Sequence, residues 1–154
     1  MQTVDRVRIR APAEHAFRAA SDVERWPQWL PHYRWVRFHQ KTVDGGLVEM
    51  AAWRPFDPLP GWPTWWLSEM NIEPDAPRIR FRHVGGITTG MDVVWQISPV
   101  GSESEVAIVH EWAGPSWPLI RRPAADWVIG PVFIHGIASR TLAGIARALE
   151  DRRE

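Results

Sequence analysis

Apolar and charged residues trade places along TVDRVRIR, residues 3–10, as they do on a strand with one face in a core. The period then changes. In APAEHAFRAASD, Pro12 stands where a first helical turn tolerates it, and Ala16, Phe17 and Ala20 recur at helical spacing. Asp22 is placed to N-cap a second short helix, VERWPQWL, which Pro31 ends. Six strand-like runs follow at roughly 33–40, 46–54, 64–73, 78–84, 90–98 and 104–112. Turn signals separate them, among them DGG at 44–46, EPDAP at 73–77 and VGS at 100–102, and the context of the glycine pairs 45–46 and 85–86 reads as hairpin turns. PSWPLIRRP, 115–123, reads as a proline-rich loop. From Ala124 to Arg152 the pattern is helical, with Ile134, Ala138, Leu142 (or Thr141), Ile145 and Leu149 on one stripe, and Gly130-Pro131 marks a kink or the helix's true start.

This order predicts an α+β fold over residues 1–154, one domain without linker or repeat. A curved antiparallel sheet of about seven strands, two short helices and a long C-terminal helix would enclose a hydrophobic cavity. Strand alternation assigns the wall. Trp66, Ser68, Met70 and Ile72 share a face; so do Met91, Val93, Trp95 and Ile97, and Val106, Ile108, His110 and Trp112. Ile79, Phe81 and His83 lie opposite Arg78, Arg80 and Arg82, and three arginines on one face mark the solvent side.

Composition narrows the function classes. The net charge of +0 gives no basic footprint for nucleic acid. No run approaches the ~18 apolar residues of a membrane span, so no stable membrane insertion is expected. The opening MQTVDRVRIR has no signal-like pattern, and zero cysteines exclude thiolate chemistry and fit a cytoplasmic protein. Eleven tryptophans against one tyrosine suggest a lining for something flat and oily as well as ordinary packing.

Four of the large aromatics fall in SDVERWPQWLPHYRWV, 21–36. Trp26 and Trp29, three residues apart, share a helix face; Trp26 suits a plug between helix and sheet, and Trp29 lies nearer the expected mouth. Tyr33 can send its hydroxyl into the cavity or satisfy it structurally. His110, between Ile108 and Trp112 on its face, is the candidate for polar chemistry, because a neutral imidazole in an apolar wall both donates and accepts. A bonded core histidine is its alternative reading. His83 is expected at the rim and His135 on the long helix. No close-spaced histidine pair appears, so neither a metal nor another cofactor is expected. Arg54 is a further candidate for a ligand anion, with the surface as its alternative, and the apolar loops around residues 55–66 suggest a hydrophobic lip.

The opening VRIRAPAEHAFRAASDVERWPQWLPHY, with D-x-E-x-W-P at 22–27, resembles the start of the START/Bet v 1-like (SRPBCC) superfamily in its polyketide cyclase/dehydrase branch. WWLSEMNIEPDAPRIRFRHVGG and MDVVWQI are similar to aromatic polyketide aromatase/cyclases, whereas PLIRRPAADWVIGPVFIHGIASRTLAGIARALE is more like the lipid-carrying and coenzyme Q-binding branch. The resemblance covers nearly the whole chain and implies a helix-grip fold with a deep ligand cavity. It implies that Tyr33 lines the mouth and that Trp66, Ser68 and Trp95 face the ligand. Where those cyclases carry a catalytic arginine, this chain has Met70, and a thioether cannot donate a hydrogen bond.

The expected function is binding of a hydrophobic, aromatic or polyketide-like molecule, with cyclisation or dehydration as the chemistry and His110 and Tyr33 as its catalytic residues. Trp29, Trp66, Ser68, Met70, Phe81 and His83 would contact the ligand, together with Met91, Val93, Trp95, Ile108 and Trp112 from the later strands and Ile134 and Ala138 from the helix. The alternatives are a lipid, quinone or isoprenoid carrier without chemistry, and an interaction module using the tryptophan-rich lip. A monomer or homodimer serves either of the first two.

Overall fold

A computed structural model describes residues 1–54, 62–114 and 134–152. The first alternation becomes β1 (Gln2–Ile9), with Thr3, Asp5, Val7 and Ile9 turned inward and Gln2, Val4, Arg6 and Arg8 outward. Pro12 caps α1 (Ala13–Ser21), its carbonyl accepting from the amides of His15 and Ala16. The second helical segment is two pieces, a 3₁₀ turn at Val23–Arg25 and a single α-turn, α2 (Trp26–Trp29). Pro27 falls in that first turn, where its missing N–H is not needed. Asp22 holds the cap position but its side chain makes no cap bond; its carboxylate lies 3.8 Å from Arg25 instead.

Six more strands follow: β2 (Tyr33–Thr42), β3 (Gly45–Arg54), β4 (Trp62–Glu73), β5 (Arg78–Gly86), β6 (Asp92–Val100) and β7 (Glu103–Glu111). They form one antiparallel sheet in the order β1-β7-β6-β5-β4-β3-β2. The consecutive strands β1 and β2 therefore occupy opposite edges, and α1 and α2 carry the chain from one edge to the other. The register of β2 slips twice against β3, at Tyr33/Trp35 and at Phe38/Gln40, and β4 slips once against β5, at Leu67/Ser68. Such bulges bend and twist a sheet. Gly45 is needed where β3 passes β4, since its φ is +142° and a Cβ would stand 2.0 Å from the Met70 carbonyl oxygen. Gly85 and Gly86 end β5 ahead of a turn at 87–90; they are not the turn itself.

The long helix α3 (His135–Asp151) turns Ile137, Ala138, Thr141, Leu142, Ile145 and Leu149 into the protein. The proline-rich 115–123, the helical pattern over 124–133 and the loop 55–61 lie outside the described residues. Arg78, Arg80 and Arg82 point to solvent as the alternation predicts, pairing with Glu73 (Arg78 and Arg80) and Asp92 (Arg82). On the outer face, the Arg34 guanidinium lies 4.7 Å from the rings of both Trp35 and Trp53, a cation–π bridge across the β2 edge. Among the described residues no helix is long and apolar enough to cross a membrane.

Candidate functional site

Between α3 and the inner face of the sheet lies a cavity of about 70 Å³. Four rings from four elements narrow it: Trp26 of α2, Tyr33 of β2, Trp66 of β4 and Trp95 of β6. Their packing is continuous. Trp26 meets the edge of Tyr33 at 5.2 Å and tilts against Trp95 at 5.3 Å, while Tyr33 approaches Trp66 at 6.2 Å. The Trp26 indole N–H donates to the Ala19 carbonyl, which ties α2 to α1 and leaves the ring's apolar surface for the cavity. No charged side chain lines the cavity among the described residues.

Three polar points interrupt this wall. The first is His83, stacked on Trp66 at 5.9 Å, with Nδ1 2.7 Å from the Thr88 hydroxyl. The β5–β6 turn brings Thr88 there, because the His83 amide bonds the Met91 carbonyl and the Gly90 amide bonds the His83 carbonyl. Burial, aided by the nearby His110, lowers the His83 pKa to about 3. The second is His110 itself, whose pKa burial lowers to about 4. Its Nδ1 is sealed from solvent and has no hydrogen-bond partner among the described residues. Both imidazoles are neutral at pH 7.

The third is a chain through Thr141. Its hydroxyl donates to the Ile137 carbonyl at 2.8 Å, one turn back on α3. The oxygen then accepts from His32 Nε2–H at 2.9 Å, which fixes His32 as the Nε2–H tautomer. Burial pushes the Tyr33 phenol well above its ordinary range, and the Thr141 hydroxyl beside it opposes that shift only in part. Tyr33 is thus neutral at pH 7.

The structure brings eleven of the expected contact residues to this cavity. They are Tyr33, Trp66, Phe81, His83, Met91 and Val93, with Trp95, Ile108 and His110 from the later strands and Ile134 and Ala138 at the start of α3. Four others lie elsewhere. Trp29 faces an outer groove shared with Arg18, Arg25 and Leu149. Ser68 and Met70 are buried within the inner face of β4. Trp112 is buried with its indole N–H on the Thr89 carbonyl, past the end of β7. The cavity also takes Met50, Thr88, Ile137 and Thr141, which the alternation did not single out. Ile137 and Thr141 were within reach of it, being i+3 and i+7 from Ile134. No group of three or more metal-ligating side chains occurs among the described residues.

The sequence matches the family described as "Polyketide cyclase / dehydrase and lipid transport" over residues 9–131. The chain belongs to this family. Membership fixes the scaffold and leaves open which of the described roles this member performs. Solved structures share the fold at low identity. The Zhui aromatase/cyclase from a Streptomyces species superposes with a TM-score of 0.81 at 15% identity, covering 100% of this chain and 96% of that one. A Thermus thermophilus protein gives 0.81 at 16%, covering 100% of both chains. A START superfamily protein from Mycobacterium smegmatis gives 0.69 at 19%, covering 98% of this chain and 95% of that one. A comparison with curated proteins finds no match.

Proposed function

We propose that the protein binds a hydrophobic, carbonyl-bearing aromatic or polyketide-like molecule between α3 and the sheet and promotes its cyclisation or dehydration. The observation that carries this reading is His110, a half-buried imidazole whose Nδ1 is sealed from solvent, in a wall that is otherwise apolar or internally bonded. Placing a polar ring in such a wall costs free energy that a carrier, which needs only shape and apolar area, has no reason to spend. With its pKa lowered to about 4, His110 is a weak base at pH 7. Its part is to polarise a carbonyl through a neutral N–H and to relay a proton once the enolate forms. Tyr33, whose hydroxyl lies beside Thr141, orients the ring system edge-on.

A cavity of about 70 Å³ falls short of the roughly 300–1,000 Å³ of ligand sites, so the aromatic wall opens to admit its guest. Catalysis would come from holding a reactive chain in one folded shape away from water. The second reading, a lipid or quinone carrier, is favoured by a lining without any charge among the described residues.

Native mass spectrometry of the freshly purified protein, with extraction and identification of whatever is released, separates them. A polycyclic or polyketone-derived adduct is the expected result; a quinone or lipid makes the protein a carrier. With a synthetic poly-β-ketone, His110→Gln is expected to lower turnover by about 10²-fold or more while tryptophan-quenching affinity changes only a few-fold. Equal losses in both would remove His110 from the chemistry.

A further inference from the structure

β1 runs along β7 with Thr3 opposite His110 and Asp5 opposite Ile108. Thr3 and Asp5 point inward, to the side on which Ile108 and His110 line the cavity. Three polar atoms of these neighbouring positions are sealed from solvent and have no partner among the described residues: Thr3 Oγ1, Asp5 Oδ2 and His110 Nδ1. Directly opposed residues bring their Cβ atoms to about 5 Å and diagonal ones to about 7–8 Å, so the three atoms border one small volume. The other oxygen of Asp5 is bonded to Nδ1 of His135, the first residue of α3, which anchors the carboxylate. His135 itself is largely exposed.

Buried polar atoms are almost always satisfied, by protein or by ordered water, and three orphans at one strand junction have one economical solution. We propose that the Thr3–Asp5–His110 junction is a binding site for a single ordered water molecule that fixes the tautomer of His110. The water donates one hydrogen to Asp5 Oδ2 and the other to His110 Nδ1, and its oxygen accepts from the Thr3 hydroxyl. Three hydrogen bonds are what a buried water typically makes. Asp5 Oδ2 only accepts and takes one of the water's hydrogens; with the Thr3 hydroxyl donating, the second goes to Nδ1 of His110, which is then the unprotonated nitrogen. The ring proton sits on Nε2, the nitrogen left for the cavity that His110 lines.

The consequence deepens the functional reading and rests on it only here: His110 meets its ligand as a donor, so the complementary ligand atom is a ketone or quinone oxygen. Thr3 and Asp5 are positioning residues that act through the water. They touch no substrate.

The test needs no ligand and no turnover. Long-range ¹⁵N–¹H spectra of the full-length protein at pH 7 are expected to show His110 Nδ1 as an unprotonated and Nε2 as a protonated nitrogen. A high-resolution crystal structure is expected to show one water within hydrogen-bond distance of all three atoms. Thr3→Val should lose that water and scramble the tautomer, while Thr3→Ser, which keeps the hydroxyl, should preserve both. An Nδ1–H tautomer in the wild type, or a dry junction, overturns the proposal whether or not the variants fold. A protein that turns over no ketone would still show this tautomer, so the two readings fail in different experiments.

Discussion

Three histidines held neutral by the fold set how the molecule meets acid. His83 titrates near 3 and His110 near 4, and His32 is also lowered to about 4, by burial first and by the charge of Arg140 second. An unfolded histidine takes its proton near pH 6.5, whereas these stay neutral until the pH is two or more units lower. Between those limits the unfolded chain binds more protons, so stability is complete above pH ~6.5 and falls as the pH drops toward 4. His83 and His110 each contribute about 1.4 kcal/mol per pH unit within that window, and His32, nearer the solvent, contributes less. Urea midpoints measured from pH 7.5 to 5 should therefore fall steeply below 6.5, and His32→Gln should flatten the slope; a level profile would mean that these rings are hydrated in solution. Tyr33 offers a smaller effect. Tyr33→Phe removes the hydroxyl beside Thr141, which keeps its bonds to Ile137 and His32, so the expected loss in urea denaturation is about 1 kcal/mol.

At the scale of elements, α3 meets the end of α2 without slack. Gly144 on α3 faces the fully buried Leu30, and a Cβ there would stand 2.2 Å from Leu30 Cδ2. Glycine to alanine normally favours a helix by about 1 kcal/mol. Here the clash with a leucine that is fully enclosed by the core wins, and Gly144→Ala is expected to lower stability by roughly 1–2 kcal/mol, read as a lower melting temperature. A higher one would show that Leu30 has room to turn. The legibility of the sequence divides by element. Period-2 patterns gave seven strands and the solvent side of β5, because arginine cannot share a face with a core. What alternation could not show is which inward residue is covered by another. Ser68 and Met70 share parity with Trp66 and are buried, yet of the three only Trp66 reaches the cavity. Nor does periodicity describe a single α-turn such as α2, whose Trp26 is buried while Trp29 faces an outer groove.

For the whole molecule, the aromatic wall acts as filling as much as lining. Trp66 touches both Tyr33 and His83, so Trp66→Ala removes the keystone of the ring cluster. A loss of about 3–5 kcal/mol is expected, part of it recoverable by indole in solution if the space stays open. A melting temperature rising with indole for Trp66→Ala and not for wild type is the predicted signature; no rise would mean that the wall collapses inward. The strand order has a consequence of another kind, for synthesis. β1 precedes the other strands in the chain, but among the described residues its neighbour in the sheet is β7, and the Trp112 amide bonds the Met1 carbonyl. At about 5–20 residues per second the opening strand waits roughly 5–20 s for its partner to emerge. During that wait Arg6 and Arg8, which finally meet Glu105 and Glu103, are bare charges on an unpaired segment. Their contribution to the finished surface is small. Their larger service is during synthesis, keeping β1 in water until β7 arrives to pair with it.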